Sequence, residues 1–180
     1  MQKNRLDMRS LGIVIMCIVA AVLYGIVHDQ ITARICVEYF TVGHPPIFGT
    51  DDPTLLGLGW GIIATWWVGL LIGVPLTIAA RTGTRPRRSS KSLVRPIAIL
   101  LATMAVCAFI AGCIGWLLAS TGVLFLVGPI ARAVPADRHV SFLVDAWAHS
   151  TSYLVGFVGG VVLIVKVWRS RGAATAENCR

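Results

Sequence analysis

Four long apolar runs, separated by segments that alternate between basic and acidic, constrain this chain more than any other feature. The runs are 11–27, 58–80, 96–119 and 152–168. Each approaches the ~20 residues with which a helix crosses a hydrocarbon core. Lys3, Arg5 and Arg9 precede the first run, Arg81, Arg85, Arg87, Arg88, Lys91 and Arg95 fill the 81–95 connection, and Lys166, Arg169, Arg171 and Arg180 close the chain. Together these segments hold 13 of the 16 basic residues. The 28–57 and 120–151 connections hold only Arg34, Arg132 and Arg138, yet carry Asp29, Glu38, Asp51, Asp52, Asp137 and Asp145 of the eight acidic residues. Basic loops are retained in the cytoplasm. The pattern therefore predicts an all-α membrane protein, a four-transmembrane-helix antiparallel bundle in a single domain, 1–180. Both termini and the basic 81–95 loop face the cytoplasm, and connections 28–57 and 120–151 build a small extracytoplasmic layer.

Composition excludes the main alternatives. With 56% hydrophobic and 13% charged residues, a soluble domain of this size has too few polar groups to cover its surface. The net charge of +8 is accounted for by sidedness, so nucleic acid is not an expected partner. The 81–95 loop lies where Arg81, Arg85, Arg87, Arg88, Lys91 and Arg95 can attract anionic lipid headgroups. No small-x-small cleavage site follows the first run, which reads as a retained span. Cys17, Cys107 and Cys113 lie in apolar runs, Cys179 in the tail and Cys36 alone outside, which predicts free thiols.

Within the runs, Gly69 and Gly73, Ala108 and Gly112, Ala111 and Gly115, and Gly156 and Gly160 stand four apart, a spacing that lets helix backbones approach closely. Pro75 is expected to bend the second span. Asp52 is placed to cap it, with Pro53 at its first position. Trp60, Trp116 and Trp168 are expected at membrane boundaries. Segment 31–40 alternates Ile31, Ala33, Ile35, Val37 and Tyr39 with Thr32, Arg34, Cys36 and Glu38, which predicts a short extended segment. The rival is a helix that pairs Arg34 with Glu38.

None of the four apolar cores has an ionisable residue near its centre, which argues against an ion-coupled transporter. Polar residues gather instead at one end. His28 and Asp29 end the first span, Glu38 follows, and Asp145 and His149 lie four apart before the fourth, so a helix puts them on one face. In an antiparallel bundle His28, Asp29, Glu38, Asp145 and His149 reach one level. Such ligands suit a divalent transition metal such as zinc, and an open coordination position can activate water. The plainer reading makes His28 a favourable charge at a helix C-terminus and Asp145–His149 a turn-spaced pair. His44 and His139 are expected in solvated loops. No nucleophile elbow, phosphate-binding glycine loop or metalloprotease helix is present.

The run His28-Asp29-Gln30-Ile31-Thr32-Ala33-Arg34-Ile35-Cys36-Val37-Glu38-Tyr39-Phe40-Thr41, with Phe48-Gly49-Thr50-Asp51-Asp52-Pro53-Thr54 and Ala64-Thr65-Trp66-Trp67-Val68-Gly69, resembles a family of small bacterial multi-pass membrane proteins of unassigned function. The resemblance covers His28 to Pro75. It implies a bacterial inner-membrane protein and carries over no activity, cofactor or catalytic residue. The leading expectation is a non-enzymatic protein that binds a partner or small ligand, a protein partner or a second copy included, through its extracytoplasmic layer. The alternative is a membrane-embedded metal-dependent hydrolase. Reporter fusions at Glu38 and at Arg88 are expected to fall in opposite compartments, and a shared compartment overturns the sidedness.

Overall fold

The computed structural model describes residues 8–177. Lys3, Arg5, Asp7, Cys179 and Arg180, which enter the sidedness and thiol arguments, lie outside the described residues. Every regular element described is helical: α1 (Met8–Ile35), α2 (Val37–Thr41), α3 (Pro53–Ile63), α4 (Trp66–Arg81), α5 (Ser90–Ser120), α6 (Gly128–Ala133), a 3-10 turn (Ala136–Arg138) and α7 (His139–Glu177). Four stretches are long and apolar enough to cross a membrane: Met8–Ile35, Pro53–Arg81, Ser90–Ser120 and Ala136–Gly172. Each is longer than the apolar run that marks it, because polar residues continue the helix at the ends. Leu11, Ile15, Val19, Leu23, Val27 and Ile31 form an exposed stripe along α1. A row of bared aliphatic side chains four apart suits hydrocarbon and not water.

The second of these stretches starts as its sequence predicts. The Asp52 carboxylate accepts the Leu55 N–H at 2.9 Å, and Pro53 occupies the first turn. The helix is interrupted at Ala64 and Thr65, between α3 and α4, while α4 continues through Pro75. Trp60 is not a bare ring at the surface. It is buried in a cluster with Ala33, Phe40 and Leu56, and its ring meets those of Phe48 and His44. Trp116 and Trp168 are exposed.

Segment 31–40 is not extended, contrary to the pattern of its sequence. α1 runs to Ile35, and α2 follows after one non-helical residue, Cys36. The buried positions are Asp29, Thr32, Ala33, Cys36 and Phe40, a spacing of three to four that belongs to a helical face. Long-range packing outweighs the strand preference of the β-branched residues. The ion pair that a helix offered here also differs. Arg34 bonds Gln30 and, at 2.9 Å, the Thr54 hydroxyl, while Glu38 takes Arg138.

Glycine sets how the helices pair. A Cβ on Gly61 would stand 2.6 Å from the Ile26 backbone, and one on Gly69 2.6 Å from Ile18 Cα. These contacts lock α1 against α3 and α4. On α5, a Cβ at Gly115 would meet Trp147 at 3.1 Å, and one at Gly112 would touch Val144 on α7 at 3.6 Å. α1 packs most heavily on α3 and α4, and α5 on α7, with fewer contacts between the two groups. Gly160 on α7 faces the Ile72 side chain of α4 across the seam between the groups, and Gly156 faces the Met104 side chain of α5 within one of them.

Arginine ties the other end together. Arg171 is buried and donates to the carbonyls of Pro86, Thr82 and Arg85 at 2.7 to 2.8 Å, and to that of Ala79. A cation over the last carbonyls of α4 is favoured by the helix dipole. Arg85 lies over the Trp168 ring at 4.6 Å, and Arg88 donates to Ser170 at 2.9 Å. A core of Ile13, Leu76, Ala80, Leu93, Ile97 and Leu163 fills the space beside this clasp.

Gly69→Ala is expected to lower stability by about 1–3 kcal/mol, since its Cβ meets backbone that cannot yield. Gly12→Ala, with nothing within 4 Å of the added carbon, is expected to be neutral or stabilising by up to ~1 kcal/mol. Thermal unfolding of the two variants in detergent compares them directly.

Candidate metal centre

Helix periodicity delivers three side chains to one point at the end of the molecule where α1 closes and α7 begins. His28 and Asp29 come from the C-terminal part of α1, and His149 comes from α7. One ligand atom from each lies within 4.8 Å of the other two. Asp29 and His149 are buried, and His28 is half-buried.

Tautomer chemistry defines what the cluster lacks. His149 Nδ1 stands 2.9 Å from the Asp145 backbone carbonyl. A carbonyl only accepts, so Nδ1 carries the hydrogen. In a neutral imidazole Nε2 is then a lone pair, yet it faces Asp29 Oδ1 at 3.2 Å. Two acceptors at that distance repel unless a cation, a proton or a metal ion, lies between them. His28 Nε2 is also buried and has no hydrogen-bond partner. Its ring stands edge-on to that of His149, centroids 4.5 Å apart. The cluster thus sets one unpartnered nitrogen, His28 Nε2, beside the His149 Nε2–Asp29 Oδ1 pair.

The His149 ring is held tightly. The Tyr39 ring lies tilted against it with centroids 4.5 Å apart, Phe40 meets it edge-on at 5.7 Å, and the Asp145 carbonyl fixes its rotation. A hydrogen bond to the nitrogen opposite the ligating one is the usual way a metal-binding histidine is oriented. Tyr24 stacks on His28 at 5.7 Å, and its hydroxyl bonds Ser152 Oγ at 2.7 Å.

Two of the five residues expected at the centre stand apart from its ligand set. Asp145 lends its backbone carbonyl, but its carboxyl group is fully buried and neither oxygen has a hydrogen-bond partner. Its electrostatic neighbours are Asp29, Arg138 and the Cys36 backbone N–H. Glu38 pairs with Arg138 at 3.1 Å and accepts the Cys36 thiol at 3.3 Å. Burial and that bond push the Cys36 thiol up to about 12, so it stays a protonated thiol. His44 and His139 are not solvated as expected. Both are half-buried, His44 bonding the Tyr39 carbonyl and stacking on Phe40, and His139 bonding the Val134 carbonyl.

Tyr24 is the participant that sequence reasoning missed. It precedes His28 by one helical turn, and a lone hydroxyl-bearing ring inside an apolar run was the available signal.

Below the cluster, along the seam between the two helix groups, runs a cavity of about 90 Å³. His28, Asp29, His149, Tyr24, Ser152 and Thr65 line its polar end, and Cys17, Leu76, Ile97 and Leu163 its far end. No protein family matches this chain, and neither a curated protein nor a solved structure matches it.

Burial alone pushes the Glu38 carboxyl up, but its own backbone N–H, Arg138 and Cys36 outweigh that and hold it below the usual 4.5. A depressed carboxyl adds stability above its unfolded value and loses it as pH falls through the folded one. Glu38→Gln is expected to remove that share of the acid-sensitive fall in melting temperature below about pH 4.5, at a cost of about 0.5–1 kcal/mol near pH 7. Melting curves of the two proteins between pH 3 and pH 7 check it.

Proposed function

We propose that this chain is a multi-pass membrane protein that holds a divalent transition metal, zinc in the first instance, at His28, Asp29 and His149. The observation that carries the reading is the meeting of His149 Nε2 with Asp29 Oδ1 at 3.2 Å, a contact that needs a cation between the two atoms when Nδ1 holds the single ring hydrogen, beside the unpartnered His28 Nε2. Ligand atoms around a tetrahedral ion with bonds of ~2.0–2.1 Å stand about 3.4 Å apart. The His149–Asp29 spacing already suits such an ion. All three ligand atoms lie within 4.8 Å of one another. Two imidazoles and one carboxylate match catalytic zinc sites, which keep a further position for water or another oxygen ligand. A cation here also offsets Asp29 and the buried Asp145, each costly to hold charged away from water.

The same reading sets the protein in a bacterial inner membrane as an antiparallel four-helix bundle, with the metal at the extracytoplasmic end and Arg171 at the cytoplasmic end. The charge pattern supports this orientation. Arg87 in the connection and Lys91 and Arg95 in the first turns of α5 are exposed, where anionic headgroups can approach. A protein partner bound through the 28–57 connection has less support, because several of its polar side chains are engaged within the chain. Gln30 and Arg34 bond Thr54, Glu38 bonds Arg138, and His44 bonds Tyr39.

Protein purified without chelator and analysed for metals is expected to carry about one zinc per chain, with affinity reduced at least ~10-fold in His28→Ala and His149→Ala and unchanged in Glu38→Gln. Cobalt(II) loaded in its place is expected to give the visible absorption of a tetrahedral site. Metal-free wild-type protein that takes up neither ion overturns the reading.

A further inference from the structure

Arg95 and Arg132 bracket the longest stretch of this chain without a charged residue. It holds most of α5 and then a connection, 121–127, that is apolar where the 28–57 connection is charged. From Arg95 to Trp116 the helix rises about 30 Å at ~1.5 Å per residue, the thickness of a hydrocarbon core. That length puts the exposed Trp116 indole at the far edge of the core. α5 runs on to Ser120 and ends in a Schellman turn, in which Gly122 takes φ +75° and the Val123 N–H reaches back to the Leu118 carbonyl at 3.0 Å.

The turn sends the chain back along the bundle. Leu126 packs on Cys36, Val134 and Phe142, and Phe142 adjoins Leu143, whose carbonyl stands beside Gly115. Segment 123–127 therefore lies beside the last turns of α5, level with Trp116. Its side chains alternate: Leu124 and Leu126 are half-buried, while Val123, Phe125 and Val127 are 70%, 67% and 67% exposed. They extend the bare row of Ile110, Ile114 and Leu117 on α5, a surface that suits hydrocarbon. No charge lies among them to orient a protein partner, whereas apolar side chains at the headgroup level gain by leaving water.

The backbone sets the depth. The N–H groups of Phe125, Leu126 and Val127 have no hydrogen-bond partner among the described residues. Hydrocarbon offers such groups nothing, while water and headgroup oxygens satisfy them. Side chains that favour lipid on a backbone that needs water belong at the interface between the two.

We propose that segment 123–127 is an interfacial anchor whose partner is the bilayer surface on the side opposite the basic loop. Val123, Phe125 and Val127 enter the leaflet there, and their backbone stays at the headgroup level. Through Leu126 the anchor holds the first turns of α7 at a set height. The proposal rests on the membrane reading of the four long helices and is independent of the metal.

The test uses the full chain in nanodiscs of phosphatidylcholine and phosphatidylglycerol, with photoreactive benzoylphenylalanine replacing Phe125, the mid-span Phe109 or the exposed loop residue Asp51 in three separate proteins. Burial of one such aromatic side chain biases it toward apolar surroundings by about ten-fold or more. The probe at 125 is therefore expected to link to lipid at least ~10-fold more than the probe at 51, and amides 125–127 to exchange hydrogen as fast as unprotected ones. Lipid links at 109 with none at 125 above the level at 51 place the segment in water and overturn the anchor. Links from 125 into a second copy of the chain overturn it in favour of self-association. Lipid links at 125 with slow exchange of amides 125–127 overturn the interfacial depth. No lipid link even at 109 removes the membrane reading itself, and the anchor with it.

Discussion

Close backbone contact at glycine is the constraint on which the rest of this structure depends. Gly61 and Gly69 bring α3 and α4 against α1 at a distance that no larger residue permits, and Gly115 brings α5 against α7. In a hydrocarbon environment, where apolar side chains gain nothing by hiding from lipid, such fitting supplies much of what holds helices together. Two groups packed this tightly meet each other less completely. The seam is where the cavity runs, and its polar end is where α1 and α7 bring His28, Asp29 and His149 together.

Charge at that end follows a different logic. Asp29 and Asp145 are buried, and the nearest cation, Arg138, is bonded to Glu38 and to the Ile35 carbonyl. Low-dielectric surroundings raise the cost of each unmatched acceptor. His149 is held by the Asp145 carbonyl in an orientation that turns Nε2 toward the Asp29 carboxylate. The arrangement is costly when empty of positive charge and favourable when a cation, a proton or a metal ion, is present.

Much of this architecture was legible before any coordinates. Apolar runs of membrane length mark the four long helices because length and composition alone decide that feature. The Asp52 cap and the pairs Gly69–Gly73 and Ala111–Gly115 act locally or along one helix face, and both could be read. Segment 31–40 could not. Its residues alternate like a strand, while the contacts that make it helical come from Phe40, Leu56 and Trp60, brought together by the tertiary fold. The same limit applies to the centre. The i to i+4 spacing placed Asp145 and His149 on one stripe, but only the His149 ring reaches Asp29. Glu38 goes to Arg138, a hundred residues away, a pairing that no local pattern encodes.

Arg171 adds a temporal consequence. It lies downstream of α1, α4, α5 and most of α7, yet it fastens the turn between α4 and α5 by four carbonyls. Translation runs from the N-terminus, so this clasp forms last. Until the ribosome has released it, the turn after α4 lacks its main donor, and the two helix groups can still adjust to one another. Assembly of the bundle therefore ends at its basic end, after the opposite end has already been made.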